Sequence, residues 1–211
     1  MEKKFIEIFT GLKRNLTKEI RVAQFAGSVS EMSAYHHGEA SLQGAIIGMA
    51  QNFVGANNIN LLQPNGQFGT RIMGGNDSAS ARYIHTQLNP IVDTIFPQAD
   101  LPLLEYINDD GLMVEPKWYC PIIPMVLVNG MVGIGTGFST TIPQFNPIDC
   151  LNNIRRKMDG MPYLSMKPYY RGFKGRVEKI VENRPFTERK LHREDLNCER
   201  NNGSSNLYVE S

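Results

Sequence analysis

The most regular hydrophobic pattern in the chain lies in the segment SLQGAIIGMAQNF, residues 41–53. Residues three, four and seven positions apart lie on one side of an α-helix, so apolar residues at this spacing predict an amphipathic helix. The apolar positions are Leu42, Ala45, Ile46, Met49, Ala50 and Phe53. Gly55 follows as the expected stop signal. His37 and Gly38 precede the helix, where free backbone N–H groups favour an anion.

The pattern changes after this helix to short apolar runs between turn residues. The segment NINLLQPNGQFGTR, residues 58–71, has one apolar run before a Pro64-Asn65-Gly66 turn and a second run after it. Apolar runs on both sides of an Asn-Gly turn predict a β-hairpin. A helix followed by a hairpin predicts a winged-helix-like domain.

Further elements follow along the chain. We expect Asp77 and Ser78 to cap a turn through SASA, and Tyr83 to Leu88 to form a strand that starts at the end of this turn. Asn89-Pro90 has the form of a helix N-cap with proline at the first helical position.

The second half of the chain carries one long apolar run. The segment YCPIIPMVLVNGMVGIGTGF, residues 119–138, predicts a buried strand that leads into a glycine-rich turn. A second helix is expected from Pro147. Helices and short strands together predict the α+β class, with a winged-helix-like domain and the start of a second, mixed α/β domain.

Composition limits the class of protein. The 211 residues, 41% of them hydrophobic, suffice for one substantial core or two small ones. Lys and Arg number 22 against 21 Asp and Glu, so any surface that binds nucleic acid must be a local patch. Three distant cysteines favour reduced thiols in an intracellular compartment. No apolar run reaches the roughly 20 residues of a membrane span, so we expect no membrane partner.

Two common binding motifs do not fit. Gly133, Gly135 and Gly137 follow an apolar run, but the dinucleotide motif GxGxxG requires glycine where Phe138 stands. A tight turn therefore explains the glycines better than a phosphate site. His36 and His37 are adjacent and, on a helix, point about 100° apart. With no HExxH motif or nearby cysteine, we expect no metal site in the chain.

Arg82-Tyr83 is the pair that raises a question of chemistry. A phenol has a pKa of about 10, so a tyrosine that acts as a nucleophile needs positive charge and a proton acceptor nearby. Arg82 supplies the charge. Taken alone, such a dipeptide is more often a half-buried aromatic at the start of a strand, and residue types leave both interpretations open.

Five phrases in order change this balance. They are VAQFAGSVSEMSAYHHGE, IIGMAQNFVGANNINLLQPNGQFGTR, GGNDSASARYI, VEPKWYCPIIPMVLVNG and GIGTGFSTTIPQFNP. As a set they closely resemble the DNA breakage-reunion region of eukaryotic type IIA DNA topoisomerases. The resemblance extends over about residues 8–180, which is most of the chain but a minor part of such an enzyme.

The resemblance implies roles for individual residues. Tyr83 matches the tyrosine that attacks a DNA phosphodiester and becomes linked to the 5′ end. Arg82 matches the arginine that holds the scissile phosphate. His37 matches the histidine that hydrogen-bonds the phosphate or manages the tyrosine proton. Ile134 matches an apolar side chain that wedges between base pairs and helps to bend the duplex.

The resemblance also implies partners and cofactors. It implies double-stranded DNA as substrate, a homodimer in the full enzyme, a nuclear location, and Mg²⁺ and ATP bound by domains outside this chain. One departure concerns Met131-Val132, where the family usually has an alanine and a glutamate. The alternative interpretation is a non-catalytic DNA-binding fragment without the ATPase and Mg-binding domains.

Domain bounds and a basic surface complete the expectations. Residues 1–125 are expected to form the winged-helix-like breakage-reunion domain and 126–180 a partial tower-like domain, with 181–211 a disordered tail. We also expect a local basic face for DNA in spite of the net charge of +1. Its members are Lys13, Arg14, Lys18, Arg21, Arg71 and Arg82.

Overall fold

The computed structural model describes residues 5–33, 35, 38–135, 138–179 and 196–197. Its contacts divide the chain into two compact units, Met1–Pro124 and Met125–Ser211. The mixture of helices and strands predicted from the sequence is confirmed. Among the described residues, no helix is both long and apolar enough to cross a membrane.

The helices and strands are short. The α-helices are α1 (Ile6–Lys13), α2 (Val22–Glu31), α3 (Glu39–Ala50), α4 (Val92–Ile95), α5 (Met125–Val128) and α6 (Pro147–Met158). A 3-10 helix spans Gln98–Leu103. The strands are β1 (Ile20–Arg21), β2 (His85–Thr86), β3 (Tyr106–Asp109), β4 (Leu112–Pro116), β5 (Met131–Gly135), β6 (Phe138–Ile142), β7 (Glu178–Lys179) and β8 (Leu196–Asn197).

Helix α3 confirms the strongest sequence signal, with a different end. Its buried stripe is Leu42, Ile46 and Ala50, four residues apart, and it packs against α2. The helix ends at Ala50 and not near Gly55, because the side chain of Asn57 takes over its last carbonyls. Asn57 Nδ2 donates to the oxygens of Gly48 and Gln51 at 2.7 and 2.8 Å.

The hairpin predicted for residues 58–71 is wrong. Leu62 and Asn65 pair instead with Leu88 and His85, in antiparallel bridges, so a loop of about twenty residues separates the two paired segments. The reason lies at Gly66, which does not form a tight hairpin turn. Its φ is +126°, and a Cβ there would lie 2.8 Å from Ile84 Cγ2, so glycine permits close packing of the returning segment.

The returning segment, residues 84–89, is held on both sides. On one side β1 and β2 pair antiparallel, with Ile20 opposite Thr86. On the other side Gln63 N donates to Gln87 O at 2.9 Å. This segment is therefore the middle of three extended segments that accompany the helices α1, α2 and α3 in the first unit.

A hairpin that the sequence interpretation missed follows the 3-10 helix. Strands β3 and β4 pair antiparallel around Asp110 and Gly111, whose φ values are +46° and +92°. Positive φ at both central residues is the geometry that Asp-Gly turns favour. Asn108 Oδ1 accepts from Gly111 N at 2.8 Å and stabilises the turn.

The buried strand predicted across residues 119–138 is also wrong in its first half. Residues Met125–Val128 form α5, and the strand β5 begins only at Met131. Pro121 and Pro124 lack the N–H that a central strand needs, and a short apolar run does not distinguish strand from helix. Gly130, with φ +68°, separates the two elements.

Unit Met125–Ser211 contains a hairpin and a capped helix. Strands β5 and β6 pair residue by residue from Met131–Ile142 to Gly135–Phe138. Helix α6 starts at Pro147 as predicted, and Asn146 Oδ1 accepts from Ile148 N at 2.9 Å. Most of the tail expected at 181–211 lies outside the described residues; its Leu196–Asn197 pairs with Glu178–Lys179.

Candidate functional site

Tyr83 stands at the end of a turn and directly before strand β2, as the sequence predicts. Tyr83 N donates to Ser80 O at 2.9 Å, which closes the turn. Its neighbours Ala81 and Ile84 are buried, whereas Tyr83 is 73% exposed and Arg82 is exposed. Buried residues on both sides fix the backbone, so the phenol and the guanidinium project from a rigid base.

The turn is attached to the start of helix α2. Val22 N donates to Ile84 O and Ala23 N donates to Ala81 O, both at 3.0 Å. Arg21 lies opposite His85 in the β1–β2 pair, and its side chain is exposed. Both positions are adjacent to the Tyr83 turn through the backbone, so Arg21, His85 and Arg82 surround this part of the surface.

A compact loop, residues 67–79, leads into the same turn. Ala79 N donates to Gln67 O at 2.9 Å and Gly75 N donates to Thr70 O at 2.9 Å, so two backbone bonds close it. The predicted role of Asp77 as a cap for SASA is wrong. Its carboxylate accepts from Thr70 N at 2.7 Å and from Thr70 Oγ1 at 2.8 Å. These hydrogen bonds lower the pKa of Asp77.

The tip of this loop carries residues that the sequence interpretation passed over. Arg71, predicted to bind DNA, is half-buried there. Ile72 is 92% exposed and Met73 is 56% exposed, side by side. The signal in the sequence was the glycine spacing around them, Gly69 before and Gly74-Gly75 after, which marks a tight loop with a short outward tip.

Lys13 and Arg14 lie apart from the Tyr83 turn. They end helix α1, and Arg14 reaches toward the end of α2, where Nη1 donates to Ser28 Oγ and Nη2 lies 3.8 Å from Glu31 Oε2. The Tyr83 turn is attached to the first residues of α2, about 10 Å away at 1.5 Å per residue. Lys13 Nζ lies 5.9 Å from the centre of the Phe9 ring.

Two further predicted site residues receive no test from this structure. His37 lies outside the described residues, although Gly38 is the N-cap of α3 with φ +86°. Ile134 lies in β5 opposite Ser139, and only its backbone is described. The role of each stays a prediction.

The described residues do not form a site for Mg²⁺. Within residues 5–179 and their gaps, no group of three or more His, Cys, Asp or Glu residues is placed to hold a metal ion. Asp77, the acidic residue nearest Tyr83 in the sequence, has both carboxylate oxygens bonded to Thr70. That carboxylate therefore serves the structure of the loop.

The arrangement suits a large substrate with negative charge. The phenol of Tyr83 lies on an open surface, which an extended molecule reaches more easily than a pocket. A guanidinium next to it offers planar, permanently charged donors to a phosphate. A phenol oxygen beside a bound phosphodiester is positioned for displacement at phosphorus.

Comparison with known proteins gives a consistent result. The family model for DNA gyrase and topoisomerase IV matches residues 7–202. DNA topoisomerase 2 of Pisum sativum is 58% identical over 176 residues, which are 83% of this chain and 12% of that protein. DNA topoisomerase 2-alpha of Mus musculus is 57% identical over 176 residues, again 83% of this chain and 12% of the relative.

A solved structure agrees with the sequence relatives. The Plasmodium falciparum topoisomerase II DNA-binding, cleavage and re-ligation domain superposes with a TM-score of 0.80 at 50% identity. It covers 83% of this chain, which corresponds to 24% of that structure. The chain thus spans about an eighth of the length of the curated relatives that it matches.

Proposed function

Since the chain belongs to the type II DNA topoisomerase family, of which it represents one part of the DNA cleavage and re-ligation region, we propose that Tyr83 is the nucleophile for a transient double-strand break. The observation that carries the proposal is the 73% exposed phenol of Tyr83 on a rigid turn, with the exposed Arg82 directly before it.

The proposed step is an exchange of one ester for another. The Tyr83 oxygen attacks the phosphorus of a DNA phosphodiester, the bond from phosphorus to the 3′ oxygen breaks, and the phenolic proton leaves as a 3′ hydroxyl forms. The 5′ phosphate then stays on Tyr83. Because one phosphoester bond replaces another, the 3′ hydroxyl can attack in return and restore the DNA.

Neighbouring side chains assist this step. Arg82 binds the scissile phosphate and neutralises the charge that develops on its oxygens. His37, before the N-cap Gly38 of α3, hydrogen-bonds the phosphate or accepts the tyrosine proton. Lys13, Arg14 and Arg71 bind phosphates farther along the duplex, and Ile134 wedges between base pairs.

We also propose the domain types expected from the sequence. The order of α1, α2 and α3 followed by three extended segments supports a winged-helix-like domain for residues 1–125. The hairpin β5–β6 and helix α6 support a partial tower-like domain for 126–180. Mg²⁺ and ATP bind outside this chain, in a nuclear, homodimeric enzyme that acts on double-stranded DNA.

An activated DNA substrate tests the nucleophile directly. In this duplex the 3′ bridging oxygen of one phosphodiester is replaced by sulfur, and a thiolate leaves far more readily than an alkoxide, so attack by tyrosine needs less assistance. We expect the chain, in a buffer with Mg²⁺, to form a covalent adduct that mass spectrometry maps to Tyr83. Tyr83→Phe should abolish the adduct and leave DNA binding nearly unchanged.

A control variant and three outcomes separate the possibilities. Tyr163→Phe, which removes another exposed phenol, should form the adduct normally. An adduct mapped to a different tyrosine contradicts the assignment. DNA binding without any adduct supports the alternative, a non-catalytic DNA-binding fragment. A chain that binds no duplex DNA contradicts both.

A further inference from the structure

The 67–79 loop ends in an apolar tip that no proposed role explains. We define this tip as Ile72 and Met73, which are 92% and 56% exposed. Among the large hydrophobic side chains in the described part of the chain, that of Ile72 is the most exposed. An isoleucine that meets only water loses the hydrophobic stabilisation that burial provides, so such a position favours a contact partner.

The loop beneath the tip is built to be stiff. Gly69, with φ +96°, allows the two sides to touch, because a Cβ there would lie 2.6 Å from Gly75 Cα. Gln51 Nε2, at the end of α3, donates to Phe68 O at 2.9 Å and to Gly75 O at 3.3 Å. Because these bonds connect both sides of the loop to α3, the tip is displayed in a fixed position.

The charges of the loop face in different directions. Its one carboxylate, Asp77, is turned inward onto Thr70 at 2.7 and 2.8 Å. The tip itself is preceded by the cation Arg71. The outward surface therefore combines positive charge with an apolar point, while the acidic group is engaged in hydrogen bonds within the loop.

The loop also belongs to the same rigid body as the nucleophile. Ala79, at its end, is bonded to Gln67 and lies four residues before Tyr83. Ala81, between them, accepts from Ala23 of helix α2 at 3.0 Å. A DNA duplex is wider than a single phosphate contact, since its major groove alone is about 12 Å across. A duplex bound at Tyr83 therefore extends well beyond the phosphate at the tyrosine.

From these observations we infer that the tip is a second DNA contact, in which Ile72 touches base edges or sugars beside the cleavage position while Arg71 holds the adjacent phosphate. The inference rests on the proposed function, which places DNA at Tyr83. An apolar side chain backed by a cation is the combination that groove-contacting proteins use. A protein surface is the competing partner, and the matching charge for it would be acidic.

Salt dependence separates the two contacts. We expect Ile72→Ser to weaken binding of a short duplex by about tenfold at every salt concentration, the size of one lost base contact. Its slope of log affinity against log salt should equal that of the wild type, because no counterion is involved. Arg71→Gln should instead reduce the magnitude of that slope by about 0.9, the loss of one phosphate contact.

The matched control is Leu103→Ser, which removes a 76% exposed leucine at the end of the 3-10 helix in the same unit. It should bind DNA as the wild type does. Fluorescence anisotropy measures the affinities, and circular dichroism melts verify that each variant is folded.

Each outcome decides between the proposals. If Ile72→Ser binds as tightly as the wild type while Arg82→Ala binds more weakly, the tip is not a DNA contact and the proposed function stands. If the wild type self-associates in sedimentation and Ile72→Ser does not, the tip is a protein surface and the inference is wrong. If no variant and not even the wild type binds duplex DNA, the proposed function fails first.

Discussion

Glu7 is an acidic residue in an apolar place. It lies on helix α1, where it is 2% exposed, and its Oε2 has no hydrogen-bond partner. Thr10 Oγ1 and Tyr119 OH are likewise buried without a partner in the described structure. Burial raises the pKa of Glu7 to about 7, against a weaker opposing effect of its own backbone N–H. Burial, followed by the charges of Glu115 and Glu7, also raises the pKa of Tyr119.

This position predicts how stability depends on pH. The folded pKa of about 7 exceeds the unfolded value of 4.5, so the folded chain keeps a proton that the unfolded chain releases between these pH values. The free energy of unfolding should therefore be highest below pH 4.5 as far as Glu7 is concerned, and fall by about 3 kcal/mol as pH rises through 7. Glu7→Gln, which carries no charge, should remove this fall.

Urea unfolding at several pH values between about 5 and 8 measures the effect. Glu105→Gln is the control, because that carboxylate is exposed and lies 3.5 Å from Lys117 Nζ, so its loss should change the profile little. The interpretation of Glu7 is wrong if Glu7→Gln and the wild type lose stability in parallel over this range.

At the scale of elements, the 67–79 loop depends on its glycines. Gly69→Ala places a Cβ against Gly75 at a φ of +96°, so the two sides of the loop must separate. We expect a loss of about 1–3 kcal/mol in the free energy of unfolding and faster hydrogen exchange at the Gly75 amide. Gly74→Ala is a useful comparison, since its φ is +59° but the added Cβ meets nothing within 4 Å. Equal losses in the two variants would show that contact inside the loop is unimportant.

Helix α6 offers a second test at this scale. Asn146→Ala removes the side-chain oxygen that accepts from Ile148 N, and a lost N-cap of this kind costs about 1 kcal/mol. Asn152→Ala changes an exposed asparagine inside the same helix and should be neutral or slightly stabilising, because alanine is the better helix former. Thermal melts of both variants measure the difference. A neutral Asn146→Ala would contradict the capping role.

The sequence predicts elements better than it predicts their partners. Helix α3, helix α6 and the Tyr83 turn follow from local signals, namely hydrophobic period, caps and turn residues. The partner of residues 62–65 does not, because whether they pair with residues 67–71 or with 85–88 depends on how Gly66 packs against Ile84. The same holds for Asp77, whose bond to Thr70 exists only after the loop closes.

The candidate site divides in the same way. The Arg82-Tyr83 pair was visible because its residue types and its resemblance to a family coincide. The Ile72 tip was not, because exposure of an isoleucine is a property of the folded loop and leaves no periodic signal in the sequence. The separation of Lys13 and Arg14 from Tyr83 likewise emerges only when α2 is seen to lie between them.

For the whole molecule, charge predicts weak and salt-sensitive binding of duplex DNA. With 22 basic and 21 acidic residues, attraction comes from a local surface around Arg21, Arg71 and Arg82 and not from net charge. Three phosphate contacts would lower the affinity roughly 40-fold between about 50 and 200 mM salt. Gel-shift titrations at the two salt concentrations measure this ratio. Binding that is strong and insensitive to salt would contradict the assigned surface.

The middle position of residues 84–89 has a mechanical consequence. His85 is bonded to Asn65 on one side and pairs with Arg21 on the other, and Leu88 N donates to Leu16 O at 3.2 Å. A DNA end attached to Tyr83 would transmit any tension in the DNA to this segment, through one residue. A segment gripped from both sides yields only when both rows of hydrogen bonds break together, whereas an edge strand can peel away one bond at a time. The fold thus places its proposed point of attachment where a pulling force is shared between neighbouring segments, and a broken DNA end under torsional stress would be held by an anchorage that resists peeling.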